Sequence, residues 1–132
     1  MLEAPIGESA RIPVLGSIVA GKPLDLSDDR HEEIAVPRAM ARGRVYALRV
    51  KGDSMIEAGI LDGDLVIVRS QPSVEDGEVA VSLLVDGSAT LKRLYREGNR
   101  VRLEPANSAM SPILVDRVTV QGKVIGLIRN FA

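Results

Sequence analysis

The chain has 132 residues, no cysteine and a formal net charge of −1, with 17 Lys and Arg against 18 Asp and Glu. This length suits one domain, and the lack of cysteine excludes disulfides, thiol nucleophiles and thiolate metal sites. The balanced charge and the few aromatic residues (two Tyr, one Phe) disfavour direct DNA binding. No apolar stretch is long enough to span a bilayer, so we expect a cytoplasmic protein without membrane contact.

The first 35 residues are predicted to hold one strand between two polar segments. Residues 1–10 predict a flexible leader or linker, because they lack the basic region and apolar run of a signal peptide. Residues 11–20 predict the first strand, and the Gly-Lys-Pro sequence at 21–23 predicts a turn. Residues 25–35 are strongly charged and predict an exposed loop.

Two further strands are predicted on either side of a short helix. Residues 45–50 predict a strand, because every second residue there is large and apolar. Residues 54–58 predict a helix that ends at Gly59 as its C-terminal cap. Residues 65–68 are largely β-branched and predict a buried strand.

The second half of the chain predicts only strands and turns. Residues 78–85 and 88–95 predict a hairpin joined by Asp-Gly, one of the strongest short-range hairpin signals. Further strands are predicted over residues 100–104, 117–121 and 123–128. The predicted fold class is mostly β, with coiled antiparallel sheets or a partly closed barrel and little helix.

Ser54 is the candidate nucleophile, because it follows Gly52 where a strand breaks and a helix begins. Such a corner exposes the side chain and gathers backbone N–H groups, as an oxyanion site requires. The one histidine, His31, has no evident serine partner, which leaves lysine as the base. Taken alone, a Gly-x-Ser sequence more often marks a helix cap than a nucleophile.

Lys92 is the candidate base. Strand alternation places Thr90, Lys92 and Leu94 on one face and Arg93 on the other. If Lys92 faces inward beside Leu94, desolvation lowers its pKa and makes the amine a base near neutral pH. Taken alone, this pattern fits a solvated lysine at a sheet edge better.

Two carboxylate pairs, Asp28 with Asp29 and Asp62 with Asp64, raise the question of a metal site. The Asp-Gly-Asp sequence at 62–64 predicts a turn, and no histidine or third carboxylate lies at ligand spacing. The sequence therefore predicts neither a metal site nor a cofactor.

Four blocks, in order and covering residues 12–130, together resemble the LexA-type repressor family. They are a cleavage-site block (12–16, Ile-Pro-Val-Leu-Gly, with 19–23, Val-Ala-Gly-Lys-Pro), a nucleophile block (50–55, Val-Lys-Gly-Asp-Ser-Met, with 59–64, Gly-Ile-Leu-Asp-Gly-Asp), a lysine block (90–94, Thr-Leu-Lys-Arg-Leu) and a closing strand (124–130, Val-Ile-Gly-Leu-Ile-Arg-Asn).

The resemblance implies a serine peptidase with a Ser-Lys dyad that cleaves its own chain. Ser54 is expected to attack the carbonyl of Ala20 while neutral Lys92 accepts the hydroxyl proton. Lys92 is then expected to protonate the leaving amine of Gly21. The small side chains at this bond suit a narrow cleft.

The resemblance also implies supporting roles around the dyad. The backbone amides of Asp53 and Ser54 are the expected oxyanion donors, and Thr90 is expected to hydrogen-bond the lysine amine. Gly52 and Met55 are expected to support the nucleophile as members of its block.

The family further implies partners and a regulated state. The cleavage loop is expected to move into and out of the site, and the RecA filament on single-stranded DNA is expected to favour cleavage. The domain is expected to form a homodimer through the closing strand, at Gly126, Leu127, Ile128 and Arg129. The expected organisation is a leader over 1–10 and a peptidase and dimerisation domain over 11–132.

DNA binding in this family belongs to an N-terminal winged helix-turn-helix domain, which we expect to be absent here. The main expectation is therefore the peptidase domain of an SOS repressor of the DNA-damage response. The alternatives are a UmuD-like polymerase accessory subunit, a phage-type repressor and a module that only dimerises. A signal-peptidase relative is disfavoured because no membrane anchor is predicted.

Overall fold

The computed structural model describes residues 8–24 and 32–131. His31, Asp28 and Asp29 lie outside the described residues, as does most of the segment predicted as a charged loop. Within the described ranges, no helix is long and apolar enough to cross a membrane.

Strands dominate the regular structure, which contains no α-helix among the described residues. The nine strands are β1 (Ser9–Val19), β2 (Glu33–Pro37), β3 (Val45–Lys51), β4 (Leu65–Ser70), β5 (Val79–Leu83), β6 (Ala89–Glu97), β7 (Arg100–Glu104), β8 (Ile113–Val115) and β9 (Thr119–Ile128). Two short 3-10 helices span Arg38–Met40 and Ile56–Ala58. The prediction of a mostly β fold with little helix is confirmed.

The nine strands form one sheet in the order β2-β1-β3-β4-β9-β5-β6-β7-β8. The sheet has two edges, β2 and β8, and does not close into a barrel. Neighbouring strands are antiparallel, as predicted, except for the parallel pair β1 and β3. The parallel pair arises because β2 folds back on β1, so the chain re-enters the sheet in the direction of β1.

Three details of the strand prediction are wrong. β2 lies partly in the segment predicted as a charged loop, because its Val36 is buried against the core while its neighbours are exposed. β8 is a three-residue edge strand too short and too exposed to give a pattern. β9 is one strand rather than two, because Gly122 continues the strand where the sequence predicts a break.

The interior is divided by the sheet, which buries both faces of β3. Tyr46 and Leu48 belong to one buried cluster, whereas Val45 and Ala47 belong to another. The first cluster also contains Met55, so the core directly supports the segment that carries Ser54.

One edge of β6 is left open near its start. Ser88 accepts a hydrogen bond from Leu84 on the β5 side, so in an antiparallel ladder Ala89 and Leu91 point their backbone groups the other way. Pairing with β7 begins only at Arg93. The backbone groups of Ala89 and Leu91 are therefore available to other segments.

Candidate active site

The nucleophile corner, residues 52–55, follows directly from the end of β3. Gly52 adopts a φ of 103°, which glycine adopts without steric cost, and its N–H donates to Asp62 Oδ1 at 2.8 Å. The 3-10 helix that follows ends at Gly59 with a φ of 80°, which confirms the predicted cap. Two glycines thus fix the turns that place Ser54.

Ser54 does not cap this helix. The cap position is occupied by Met55, and no side chain makes a capping hydrogen bond there. Ser54 Oγ instead donates a long hydrogen bond, 3.5 Å, to the carbonyl oxygen of Leu91 at the open edge of β6. That carbonyl belongs to the peptide group that joins Leu91 to Lys92, so the hydroxyl lies beside the candidate base.

Lys92 points into the interior, and only 4% of its surface is exposed. It lies opposite Ala80 on β5, on the same face as Thr90 and Leu94. Among the described residues it makes no ion pair, and burial lowers the pKa of its amine below the usual 10.5. The neutral, basic form is therefore favoured at a lower pH than for a lysine in water.

Two buried hydroxyls lie on the same face of the hairpin as Lys92. Thr90 Oγ1 and Ser82 Oγ are opposite each other, and neither has a hydrogen-bond partner among the described residues. The bond predicted from Thr90 to the lysine amine is therefore not formed in this conformation. Burying a hydroxyl without a hydrogen-bond partner costs free energy of folding. Both hydroxyls therefore remain available to bind a further polar group.

The predicted scissile bond, Ala20–Gly21, lies in an exposed turn immediately after β1. Lys22 N–H donates to Val19 O at 3.2 Å, and Gly21 has a φ of 79°. The turn is held from two sides, because Val19 pairs with Lys51 at the end of β3 and Lys22 O accepts from the N–H of Ala89 on β6 at 2.7 Å.

The cleavage turn and the dyad are therefore attached to the same two strands. β3 ends at Lys51, and the nucleophile corner follows it directly. The open edge of β6 binds the turn through Ala89 and accepts the Ser54 hydroxyl through Leu91. Segments far apart in sequence thus converge at one end of the hairpin.

The predicted oxyanion donors are the backbone N–H groups of Asp53 and Ser54. Neither donates a hydrogen bond to any described residue, so both are available to a ligand. Met55 is 1% exposed and packs in the core, and its sulfur accepts the Ala106 N–H at 3.4 Å. The buried side chain of Met55 thus attaches the corner to the core.

Sequence reasoning missed a segment, residues 106–109, that contacts the corner. Its hydrogen bonds to the corner and the helix after it are Ala106 N–H to Met55 Sδ (3.4 Å), Glu57 N–H to Ala106 O (2.7 Å), Asn107 Nδ2 to Asp53 O (2.8 Å) and Ser108 N–H to Glu57 Oε2 (2.8 Å). The sequence Pro105-Ala106-Asn107 has no local pattern that would predict these contacts.

The strand predicted for dimerisation, Gly126 to Arg129, lies at the end of β9 and just beyond it. Leu127 is 37% exposed, and nearby Phe131 is 88% exposed. Arg129 turns back to the carboxylate of Asp64, with two bonds of 2.8 Å, and holds the pKa of that buried carboxyl below its usual value. Asp64, predicted only as a turn residue, is therefore an internal anchor.

No group of three or more His, Cys, Asp or Glu side chains is arranged to hold a metal ion within the described ranges. The carboxylates of Asp62 and Asp64, near the corner, accept hydrogen bonds from the backbone N–H groups of Gly52 and Leu61, respectively.

Comparisons with known proteins find similarity over most of this chain. Residues 13–125 match the family described as Peptidase S24-like. The chain is 52% identical to the LexA repressor of Desulforamulus reducens over 124 residues, which is 93% of this chain and 58% of that protein.

Two further LexA repressors have similar sequence identities to this chain. The identity is 45% with the LexA repressor of Bacillus thuringiensis, over 91% of this chain and 59% of that protein. It is 46% with that of Staphylococcus epidermidis, over 97% of this chain and 64% of that protein. The chain therefore spans less than two thirds of the length of these relatives.

Proposed function

The chain belongs to the S24-like peptidase family, and on that premise we propose that it is the self-cleaving peptidase region of a LexA-type repressor. Its nucleophile is Ser54, its base is Lys92 and its substrate is its own Ala20–Gly21 bond. The observation that carries this proposal is the contact of Ser54 with the carbonyl of Leu91, next to the buried Lys92.

The reaction begins when the neutral amine of Lys92 accepts the hydroxyl proton of Ser54. The Ser54 oxygen forms a bond to the carbonyl carbon of Ala20, and the resulting oxyanion accepts hydrogen bonds from the backbone N–H groups of the corner. The carbon–nitrogen bond then breaks, and the Lys92 ammonium gives its proton to the amine of Gly21. Water, activated by the neutral amine, hydrolyses the ester and restores Ser54.

Two features of the structure support the proposed role of Lys92 as the base. Burial lowers the pKa of Lys92 without help from a charged neighbour, so the amine is neutral and able to accept a proton at a lower pH than a lysine in water. The unpaired hydroxyl of Thr90 lies on the same face and offers a hydrogen bond that would hold the amine during the reaction.

The attachment of the cleavage turn supports an intramolecular substrate. The turn is already joined to β3 and β6 by backbone pairing, so only a local rearrangement separates the bond from the nucleophile. Cleavage is then controlled by a conformational equilibrium of the turn, and an activator acts by favouring the docked state.

Regulation and partners belong to the same proposal. We infer that the chain forms homodimers, that the RecA filament stimulates its cleavage, and that DNA is bound by a separate domain of the whole repressor. The names of the relatives favour this role over a polymerase subunit or a phage repressor.

The decisive test is a mass-spectrometric time course of the purified chain at alkaline pH, with Ser54→Ala and Lys92→Ala as controls. We expect the parent alone to split between Ala20 and Gly21. If the parent stays intact at alkaline pH and also with RecA filaments on single-stranded DNA, the peptidase assignment of these residues is wrong.

A further inference from the structure

The side chain of Asn107 is held in one orientation next to the nucleophile corner. It is 9% exposed, its Oδ1 accepts the Ala109 N–H at 2.9 Å, and its Nδ2 donates to the carbonyl of Asp53 at 2.8 Å. One contact requires an acceptor and the other a donor, and the amide of Asn107 supplies both from separate atoms, which fixes the orientation of the side chain.

The carbonyl that Asn107 binds belongs to the same peptide group as the N–H of Ser54. A peptide group is planar and trans, so its carbonyl and its N–H point in opposite directions. Fixing the Asp53 carbonyl toward Asn107 therefore fixes the Ser54 N–H away from Asn107. That N–H donates to no described residue and is one of the two expected oxyanion donors.

We propose that Asn107 is a positioning residue, which orients the Asp53–Ser54 peptide so that its N–H is aimed at the oxyanion. The inference rests on the proposed function, because it concerns the same reaction. The Asp53 carbonyl also accepts the Ile56 N–H, but at 3.4 Å, so the 2.8 Å bond from Asn107 is the shorter restraint on this peptide. The peptide needs such a restraint because the preceding Gly52 is conformationally permissive. An oxyanion donor acts only when it is held in place before charge develops.

The test is the rate of self-cleavage as a function of pH in the full chain, for the parent, Asn107→Ala and Asn107→Leu. Leu has the branched shape and the number of side-chain heavy atoms of Asn but no hydrogen-bonding group, so it fills the site that Asn107→Ala leaves empty. Glu57→Ala is the matched control, because it removes the acceptor of the Ser108 N–H but leaves the Asp53 carbonyl bonded. Thermal unfolding reports the folded fraction of each variant.

We expect both Asn107 variants to lower the alkaline plateau of the rate by about 10- to 100-fold, because the Ser54 N–H stays in place but is less well aimed, and complete loss of one oxyanion donor costs about 100-fold or more. The pH midpoint should not move, because it reports the ionisation of Lys92, which Asn107 does not contact. Glu57→Ala should keep the parental plateau to within about threefold, as expected of a surface contact.

Several results would overturn the role of Asn107. These are a parental plateau in a folded Asn107 variant, a midpoint that shifts with the plateau, an equal loss in Glu57→Ala, or failure of both Asn107 variants to fold. Each of them requires a parent that cleaves. A parent that stays intact at every pH would instead refute the proposed function, and the positioning role with it.

Discussion

Lys92 owes its altered ionisation to burial alone. Desolvation lowers the pKa of its amine, and within the described part of the chain no carboxylate pairs with it to restore the charge. A buried lysine in this condition destabilises the fold wherever the amine would be charged in water. Stability therefore does not explain why this lysine is buried, whereas the proposed role as a base does.

We therefore expect Lys92→Met to stabilise the chain at neutral pH. The unfolded lysine binds a proton up to about pH 10.5, whereas the folded one releases it earlier, so the parent gains stability as pH rises toward 10.5. Met has no such penalty, and its advantage should shrink over the same range. Urea unfolding at neutral and alkaline pH measures this difference.

Ser54→Ala is the control for this comparison, because it also abolishes cleavage but leaves Lys92 in place. Its stability should follow the pH dependence of the parent. An advantage of Lys92→Met that stays constant up to pH 10.5 would contradict a lowered pKa for the buried amine.

The extent to which the site was predictable differs from residue to residue. Ser54 and Lys92 could be proposed from the sequence because each lies at a recognisable point, a broken strand and an alternating strand, within blocks that resemble a family. Asn107 was missed, because its contacts with Asp53 and Ala109 depend on tertiary packing that no local pattern reports. The pairing of Asp64 with Arg129 was missed for the same reason, since 65 positions separate them.

At the scale of elements, β9 is the strand that joins the two halves of the sheet. It pairs with β4 and with β5, and the register shifts once along each neighbour. Gly122 lies where both pairings meet, and a Cβ there would lie 2.5 Å from the carbonyl oxygen of Arg69. The sequence predicts a break at this glycine, whereas the close approach of another backbone requires it within the strand.

We expect Gly122→Ala to destabilise the chain by about 2 to 3 kcal/mol, because the added methyl group meets a backbone atom that cannot move without disturbing β4. Gly126→Ala, in the same strand, is the matched control. There the methyl group would meet the end of the Met40 side chain at 2.6 Å, and this flexible group can rotate away at a cost of about 1 kcal/mol. Urea unfolding distinguishes the two, and equal losses would show that the strand tolerates neither.

The end of β9 is tied to the nucleophile region by the ion pair between Arg129 and the buried Asp64. Arg129 holds the pKa of Asp64 below 3.8, so the pair contributes stability that is fully present above pH 3.8 and is lost as pH falls through the lower folded-state value. We expect Arg129→Gln to destabilise the chain at neutral pH, and the difference from the parent to shrink below pH 3.8.

Urea unfolding from neutral pH down to below 3.8 measures this effect. Arg100→Gln is the matched control, because Arg100 pairs with Asp116, whose side chain is 89% exposed, and an exposed pair contributes little. A deficit of Arg129→Gln that persists unchanged in acid would show that Arg129 acts by packing rather than by charge.

Strand identity was predictable from alternation and turn residues, but strand neighbours were not. The hairpin of β5 and β6 follows from its Asp-Gly turn, which allows only an adjacent antiparallel partner. The parallel pair of β1 and β3 has no local signature, because it depends on β2 reversing the chain between them. Long-range pairing is set by packing of the whole sheet, which alternation in one strand does not encode.

At the scale of the whole molecule, the exposed apolar side chains of the proposed dimer contact lie on a different element from the proposed cleavage turn, although Arg129 ties the end of β9 to Asp64. Leu127 and Phe131 expose apolar surface at and beyond the end of β9, whereas the cleavage turn is attached to β3 and β6. Because nucleophile and substrate belong to one chain, association of two chains is not needed to complete the site. Dimerisation and cleavage should therefore be separable by substitution.

We expect Leu127→Asp to weaken dimerisation at least about tenfold, because it places a charge in an apolar contact. Sedimentation velocity over a range of concentrations measures this. Val85→Asp is the control and should leave association unchanged, since Val85 is 76% exposed in the hairpin turn, near the start of β9 and not at the end that carries Leu127. Self-cleavage of Leu127→Asp at alkaline pH should be first order, with a rate constant that matches the parent and does not change on dilution. A rate constant that falls as the parent dissociates would show instead that the second chain supports the site, and that the two functions are coupled.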